Sequence, residues 1–287
     1  MTLDGIRTEG GARARPLTAK PKGWGSIVPA AIRSKMSGSI KLIDVAPTMA
    51  RVLGVETPPT DGRAIEVVEG WECDRVILAI VDSLGYGLYK ALEPNLPNMR
   101  SMASEGVLLK AECVASTTTP AIASILTGLM PENHGISNTS QASDSDIRSL
   151  LEWASSDMIR SAVVMEEEGA RTFEGFVTTV MGVSKSLVGR DFDREILARS
   201  LEALKTEPRL IVVHFLGIDR IAHDGGGIEE IRGAASEIDG HLGDLAAAVP
   251  ERTLVAVCGD HPLHAGVLKG VYDSKDVALI FWKKGGQ

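Results

Sequence analysis

Arg75-Val-Ile-Leu-Ala-Ile-Val81, followed at once by Asp82-Ser-Leu-Gly-Tyr-Gly87, decides the fold. The run is apolar and β-branched without alternation, the pattern of a strand buried on both faces, and a Gly-rich loop ends it. Two later stretches repeat the form. Leu210 to Leu216 stops before Gly217-Ile-Asp219, and Thr253 to Cys258 stops before Gly259-Asp260-His261. Helical patterns lie between them, at Ala121 to Leu129, Arg148 to Ala154, Asp193 to Leu204 and Ile228 to Val249. The last sets Ile228, Ile231, Ala235, Ile238, Leu242, Leu245 and Val249 on one stripe. Strand and helix alternate, which predicts a three-layer α/β/α fold around a mainly parallel sheet.

The chain has 287 residues, 44% of them apolar and 24% charged, enough for one large domain, and residues 1–287 are read as a single one. A net charge of −8 argues against a surface for nucleic acid polymers. Cys73, Cys113 and Cys258 are odd in number and far apart, which supports neither a disulfide framework nor a cysteine metal knuckle and points to a reducing, cytoplasmic setting. No apolar run approaches the roughly 18 residues of a membrane helix, and Met1 to Gly25 lacks the apolar core of a secretory signal. Residues 1 to 35, with Arg7, Arg13, Arg15, Lys20, Lys22, Arg33 and Lys35 among Gly and Pro, read as an irregular arm.

In open α/β sheets, ligands bind at the carboxyl ends of the strands, and three expected strands each deliver an acid there: Asp82, Asp219 and Asp260. Asp219 and His223 are spaced to share one side of a helical turn, within reach of one cation. Asp260 and His261 are adjacent, so their side chains diverge, which suits two neighbouring ions. His264 is near enough to complete a shell of nitrogen and oxygen donors. Such a set favours zinc or manganese over magnesium alone.

Ser116-Thr-Thr-Thr-Pro120 opens the next helix, where hydroxyls serve as N-caps. Alternatively, they sit where backbone amides and the helix dipole favour an anion such as phosphate, and a cation beside such a hydroxyl makes it a nucleophile. His134 reads as structural. His214 on a strand and His241 on an amphipathic helix read as satisfied packing residues.

These motifs resemble the alkaline phosphatase superfamily, and most of all its nucleotide pyrophosphatase/phosphodiesterase branch. Val76 to Asp82 resembles the family's first metal strand. Thr118-Thr-Pro120, continuing through Ser124-Ile-Leu-Thr-Gly128 to Pro131-Glu-Asn-His-Gly-Ile136, resembles its nucleophile helix. Phe215 to His223 and Cys258-Gly-Asp260-His261 resemble its remaining metal motifs.

The resemblance implies a phosphoric-ester hydrolase that takes a small-molecule phosphate ester or nucleotide and uses two divalent cations, zinc before manganese. One cation would be held by Asp219, His223 and a further histidine, for which His264 is the nearby candidate. The other would be held by Asp82, Asp260 and His261. Thr118 would be the nucleophile bridging toward both, with Thr117 and Thr119 as neighbouring alternatives, and Asn138 would lie close to the family's donor to a phosphate oxygen. Two departures stand out: no histidine follows His264, and Pro262 replaces the usual Gly. Alternatives are a phosphomonoesterase or phosphomutase of the same superfamily, or a non-catalytic relative that binds a nucleotide.

The order of motifs also looks rotated. Ile40-Lys-Leu-Ile-Asp44-Val-Ala-Pro47-Thr-Met-Ala50, with Gly54 and Asp61-Gly62-Arg63 after it, resembles the family's C-terminal segment. Lys275 to Trp282 resembles the strand that usually precedes it. A circular permutation is therefore expected, with residues 1–70 as the moved segment, residues 75–287 as the metal and nucleophile core, and a new join near Glu69 to Asp74.

Overall fold

Successive side chains of Arg75–Val81 enter two different cores. Val76, Leu78 and Ile80 pack on one face, and Ile77, Ala79 and Val81 on the other, all 1% exposed or less. Because side chains alternate along a strand, a slip of one residue would exchange the two sets, so the strand is pinned in register. The computed structural model describes residues 38–187, 190–272 and 275–286.

Among the described residues eight strands form one sheet: β1 (Ile40–Lys41), β2 (Arg75–Val81), β3 (Val107–Glu112), β4 (Ser161–Glu166), β5 (Thr179–Val183), β6 (Leu210–Phe215), β7 (Thr253–Gly259) and β8 (Asp276–Lys283). Their order is β1-β3-β8-β7-β2-β6-β4-β5. All pairings are parallel except those of β8, which runs against both β3 and β7. Helices Val45–Leu53, Thr118–Thr127 and Leu150–Ser156 cover one face. Tyr86–Leu92, Pro97–Glu105, Arg190–Leu204 and Ile228–Ala248 cover the other. This is the expected α/β/α layering. Among the described residues no helix is long and apolar enough to cross a membrane.

The three strands read from sequence are present within a residue of their expected ends, and β8 runs Asp276–Lys283. β3, β4 and β5 were not expected. β3 carries Lys110 and Glu112, β4 is apolar only from Ala162 to Met165, and β5 is a half-buried edge strand interrupted by Gly182, so none presents a long apolar run. The helix expected from Ala121 starts earlier, at Thr118. The Arg-rich arm of residues 1 to 35 lies outside the described residues.

The segment after β1 is built onto the site's supporting helix. Helix Val45–Leu53 ends at Gly54 in a left-handed conformation with φ 72°, and Asp44 accepts from Lys41 N and Arg63 N at 2.8 Å each. Asp61 N and Gly62 N both donate to Gly128 O at 3.0 Å, and Asp61 Oδ2 accepts from Met130 N at 2.7 Å. Gly128 is the C-cap of helix Thr118–Thr127, so this loop fixes the far end of the helix that carries Thr118. β1 pairs with β3 in parallel, Ile40 against Ala111, and β3 alone separates it from β8.

Candidate active site

β7, β2 and β6 are parallel neighbours, so their carboxyl ends open on the same side and bring Asp260-His261, Asp82 and the Asp219 turn together. Close approach of two of these loops requires glycine at position 259, where a Cβ would stand 2.2 Å from Leu84 O. Helix Gly217–His223 starts directly after β6 and presents Asp219 and His223 one turn apart, with His223 Nε2 3.5 Å from Asp219 Oδ2. Thr117 is the N-cap residue and makes no side-chain cap, so Thr118 is the first helical residue, with its hydroxyl directed at the strand ends.

Thr118 Oγ1 lies 3.2 Å from Asp82 Oδ2 and 3.2 Å from His261 Nε2. His261 Nε2 is in turn 3.3 Å from Asp82 Oδ1 and 3.3 Å from Asp260 Oδ2. His261 Nδ1 is 3.1 Å from Pro262 O, a carbonyl that only accepts, so Nδ1 carries a proton and Nε2 is the nitrogen turned to the acids. On the other side, His223 Nε2 and His264 Nε2 are 3.2 Å apart, and His264 Nδ1 is 3.7 Å from Asp219 Oδ1.

These spacings suit cations. Donors about 2.0–2.2 Å from a tetrahedral zinc-sized ion stand about 3.3–3.6 Å from one another, close to the separations among Asp82, Asp260, His261 and Thr118. Asp82 Oδ1, Asp260 Oδ2 and His264 Nδ1 are buried without a hydrogen-bond partner among the described residues. An orphaned carboxylate oxygen is costly to bury, and a divalent ion is the partner its chemistry asks for. Asp82, Asp219, His223, Asp260, His261 and His264 thus fit the metal group expected from sequence.

The electrostatics agree. Burial, then the charge of Asp82, pushes the Asp260 carboxyl up to about 7, and burial, then Asp219, raises Asp82. Burial pulls His261 down, but the charges of Asp260 and Asp82 outweigh it and leave it raised. Burial, with His261 nearby, lowers His264, which keeps its imidazole neutral and able to ligate.

A cleft of about 410 Å³ runs outward from Asp82, Thr118 and Asp219. Its wall is largely apolar, with Ile122, Leu126, Ile147, Met165, Phe173 and Phe176. Phe176 is 60% exposed and Ile147 37%, unusual for large apolar side chains.

Residues 76–267 match the family model described as type I phosphodiesterase / nucleotide pyrophosphatase. The chain belongs to that family. No curated protein matches it in sequence. Phosphonoacetate hydrolase from Sinorhizobium meliloti 1021, in complex with phosphonoformate, superposes with a TM-score of 0.56 at 15% identity, over 72% of this chain and 60% of that one. Murine ectonucleotide pyrophosphatase / phosphodiesterase 5 gives 0.53 at 19% identity, over 66% and 57%. A lipoteichoic acid synthase from Listeria monocytogenes gives 0.56 at 12%, over 84% and 72%. The likeness is one of fold, and this phosphodiesterase-family chain spans about 60% of the length of the phosphonoacetate hydrolase.

Three sequence expectations need correction. His214 is not a satisfied packing residue: it is 3% exposed, its Nε2 lies 3.5 Å from Asp82 Oδ2, and that nitrogen has no hydrogen-bond partner among the described residues. β6 delivers it because it stands at the strand's end rather than mid-strand. Asn138 is not brought to the centre. It is the exposed N-cap of helix Thr139–Ser143, where its Oδ1 accepts from Gln141 N at 3.0 Å. His134 is structural as expected, bridging Ser124 Oγ at 3.0 Å and Ile136 N at 2.9 Å, and His241 packs on the Phe215 ring as expected but is not satisfied, since its buried Nε2 has no hydrogen-bond partner among the described residues.

Sequence reading missed two supporting residues. Ser83, left-handed at φ 65°, donates through N to Asp260 Oδ1 at 3.0 Å and through Oγ to Asp219 Oδ1 at 2.8 Å. Asp193 accepts from Leu216 N and Gly217 N, both at 2.9 Å, and so holds the turn that carries Asp219. A Cβ on residue 217 would meet that carboxylate at 2.3 Å, which is why glycine stands there.

Proposed function

We propose that this chain is a phosphodiesterase or nucleotide pyrophosphatase with two divalent cations and Thr118 as its nucleophile. The observation that carries the reading is the set of donor spacings around Thr118 Oγ1, Asp82, Asp260 and His261, beside a second group of Asp219, His223 and His264. Asp219, His223 and His264 hold one cation, and Asp82, Asp260 and His261 hold the other. The mix of imidazole and carboxylate favours zinc, then manganese.

When bound, the cations lower the pKa of the hydroxyl and neutralise charge on the phosphate oxygens. Thr118 Oγ1, held at a helix start against the strand ends, gives its proton to solvent and forms a bond to phosphorus as the bond from phosphorus to the ester oxygen breaks, and that leaving oxygen takes a proton from water. Water then attacks the phosphothreonine, the bond to Oγ1 breaks, and Thr118 regains its proton. The apolar cleft receives the organic group of the ester, and so supports esters of an apolar or aromatic alcohol as substrates.

We further infer that residues 1–70 are the family's C-terminal segment moved to the front of one domain. The place of Ile40 and Lys41 beside β3 and of Asp61 and Gly62 against Gly128 supports this. The three free thiols support a reducing, cytoplasmic setting. Replacing Thr118→Ala tests the mechanism: turnover of a chromogenic phosphodiester should fall to background while cation uptake persists. Wild-type turnover in that variant would remove Thr118 from the chemistry.

A further inference from the structure

His214 is the one imidazole at the strand ends that the family pattern leaves without a task. It lies five residues before Asp219 on β6, fully enclosed, and one donor atom each from His214, Asp82 and Asp260 falls within 4.8 Å of the others. All three residues are 3% exposed or less. Two kinds of contact normally explain a buried histidine: hydrogen bonds at both nitrogens, or a tight ion pair. Neither applies to Nε2, because its nearest acid oxygen, Asp82 Oδ2, is 3.5 Å away, too far for a hydrogen bond, and among the described residues it has no other partner.

The facing acids are under-used in the same way. Asp260 Oδ1 is spent on Ser83 N and His261 N, while Oδ2 has no hydrogen-bond partner among the described residues. Asp82 Oδ1 faces His261 and Oδ2 faces His214, so the two imidazoles approach different oxygens of one carboxylate. Three enclosed donors with unused lone pairs, converging at ligand spacing, describe a cation's coordination shell and not a packing contact.

We propose that His214 Nε2 is a further ligand of the cation held by Asp82 and Asp260, which gives that ion two imidazoles, His261 and His214. The inference rests on the two-cation reading above. The chemical class is a divalent ion that accepts nitrogen and oxygen donors together, zinc or manganese, and the extra nitrogen biases this position toward zinc over magnesium.

The test uses the full chain, loaded with zinc and observed through the nitrogen resonances of its six histidines. Zinc should shift four imidazoles into the ligated range: His214, His223, His261 and His264. Three shifted imidazoles, with His214 unmoved, would overturn the proposal without any variant being made. In H214Q, one of the two zinc equivalents should bind at least ten-fold more weakly by chelator competition, and the cobalt form should show a changed visible spectrum. Unchanged affinity and spectrum in a folded H214Q would overturn it. So would three equivalents in the wild type falling to two, which would mean a separate third ion. A wild-type protein that takes up no cation would sink the two-cation reading itself, and that result is distinct from the others.

Discussion

Ser83 Oγ donates to Asp219 Oδ1 at 2.8 Å, so a single hydroxyl ties the loop after β2 to the helix after β6. The same residue's backbone N–H holds Asp260 Oδ1 at 3.0 Å. Ser83 therefore orients an acid of each proposed cation group without being a ligand itself. Replacing Ser83→Ala keeps the left-handed backbone equally strained and removes only the hydroxyl. Partners that orient ligands in this way typically contribute about 10- to 100-fold to metal affinity. The hydroxyl also lies 3.4 Å from His261 Nδ1, a longer contact. The expected outcome is a loss of that order for the cation at Asp219, read by chelator competition, with a smaller loss for the other cation. Unchanged affinity at Asp219 would show that the hydroxyl does not orient it.

The chelated protein should lose stability as pH rises. Asp260 has an ordinary pKa of 3.8 and is pushed up to about 7 in the fold by burial and by Asp82. Between these values the folded chain holds a proton that the unfolded chain has released, so unfolding free energy falls with increasing pH. Above the folded value the full cost of the buried charge stands. Raised His261 acts in the same sense, because its stabilising charge is lost as pH climbs through its folded pKa. Urea unfolding of chelated wild type and of Asp260→Asn at pH 5 and pH 7.5 checks this. The variant's stability should depend on pH less steeply, and parallel profiles would mean that Asp260 is not forced to ionise inside the fold. Saturating zinc should reverse the trend in the wild type, since the ion binds the ionised acids.

How much of this was legible in the sequence depends on what each residue's signal is. β2, β6 and β7 announce themselves because strands buried on both faces are continuous apolar runs, and the acids that follow them stand out against Gly-rich loops. β5 is half-buried at the sheet edge, and β3 alternates charge into a short run, so periodicity had little to report. His214 was misread because burial of a histidine says nothing about what faces it, and only the parallel register of β2 with β6 places it opposite Ile80, one residue before Val81 and the Asp82 turn. Asn138 was misread for the opposite reason. An Asn three residues before Gln141 is an ordinary helix cap, and that local bond holds its side chain. Ser83 and Asp193 carry no motif at all, since each works through contacts at sequence separations from 23 to 177.

Asp193 makes a structural prediction. Its carboxylate is 3% exposed and accepts two backbone N–H groups at the turn into helix Gly217–His223. Replacing Asp193→Ala orphans both donors in a buried place. At about 1–3 kcal/mol for each unsatisfied group, the variant should be about 2–6 kcal/mol less stable in denaturant titrations. It should also bind the cation at Asp219 less tightly, because the turn that presents that acid is no longer held. Stability within about 0.5 kcal/mol of wild type would mean that water or another group replaces the carboxylate.

Phe176 bears on substrate choice. At 60% exposure it contributes little to the core, yet it stands on the wall of the cleft that opens from Thr118. A large apolar ring left in water beside the proposed nucleophile gains stabilisation only when something apolar covers it, and covering a Phe side chain is worth about 1.5–3 kcal/mol. If the ester's organic group is what covers it, that interaction is the same in the bound substrate and in the transition state. Its loss then raises KM and leaves kcat alone. Phe176→Ala should therefore raise KM for an aryl phosphodiester about 10- to 100-fold at constant kcat, with no change for a dimethyl ester and no change in Tm. A variant that slows both esters equally would place Phe176 in the architecture of the site, and one with wild-type KM for the aryl ester would move the substrate's organic group off this wall.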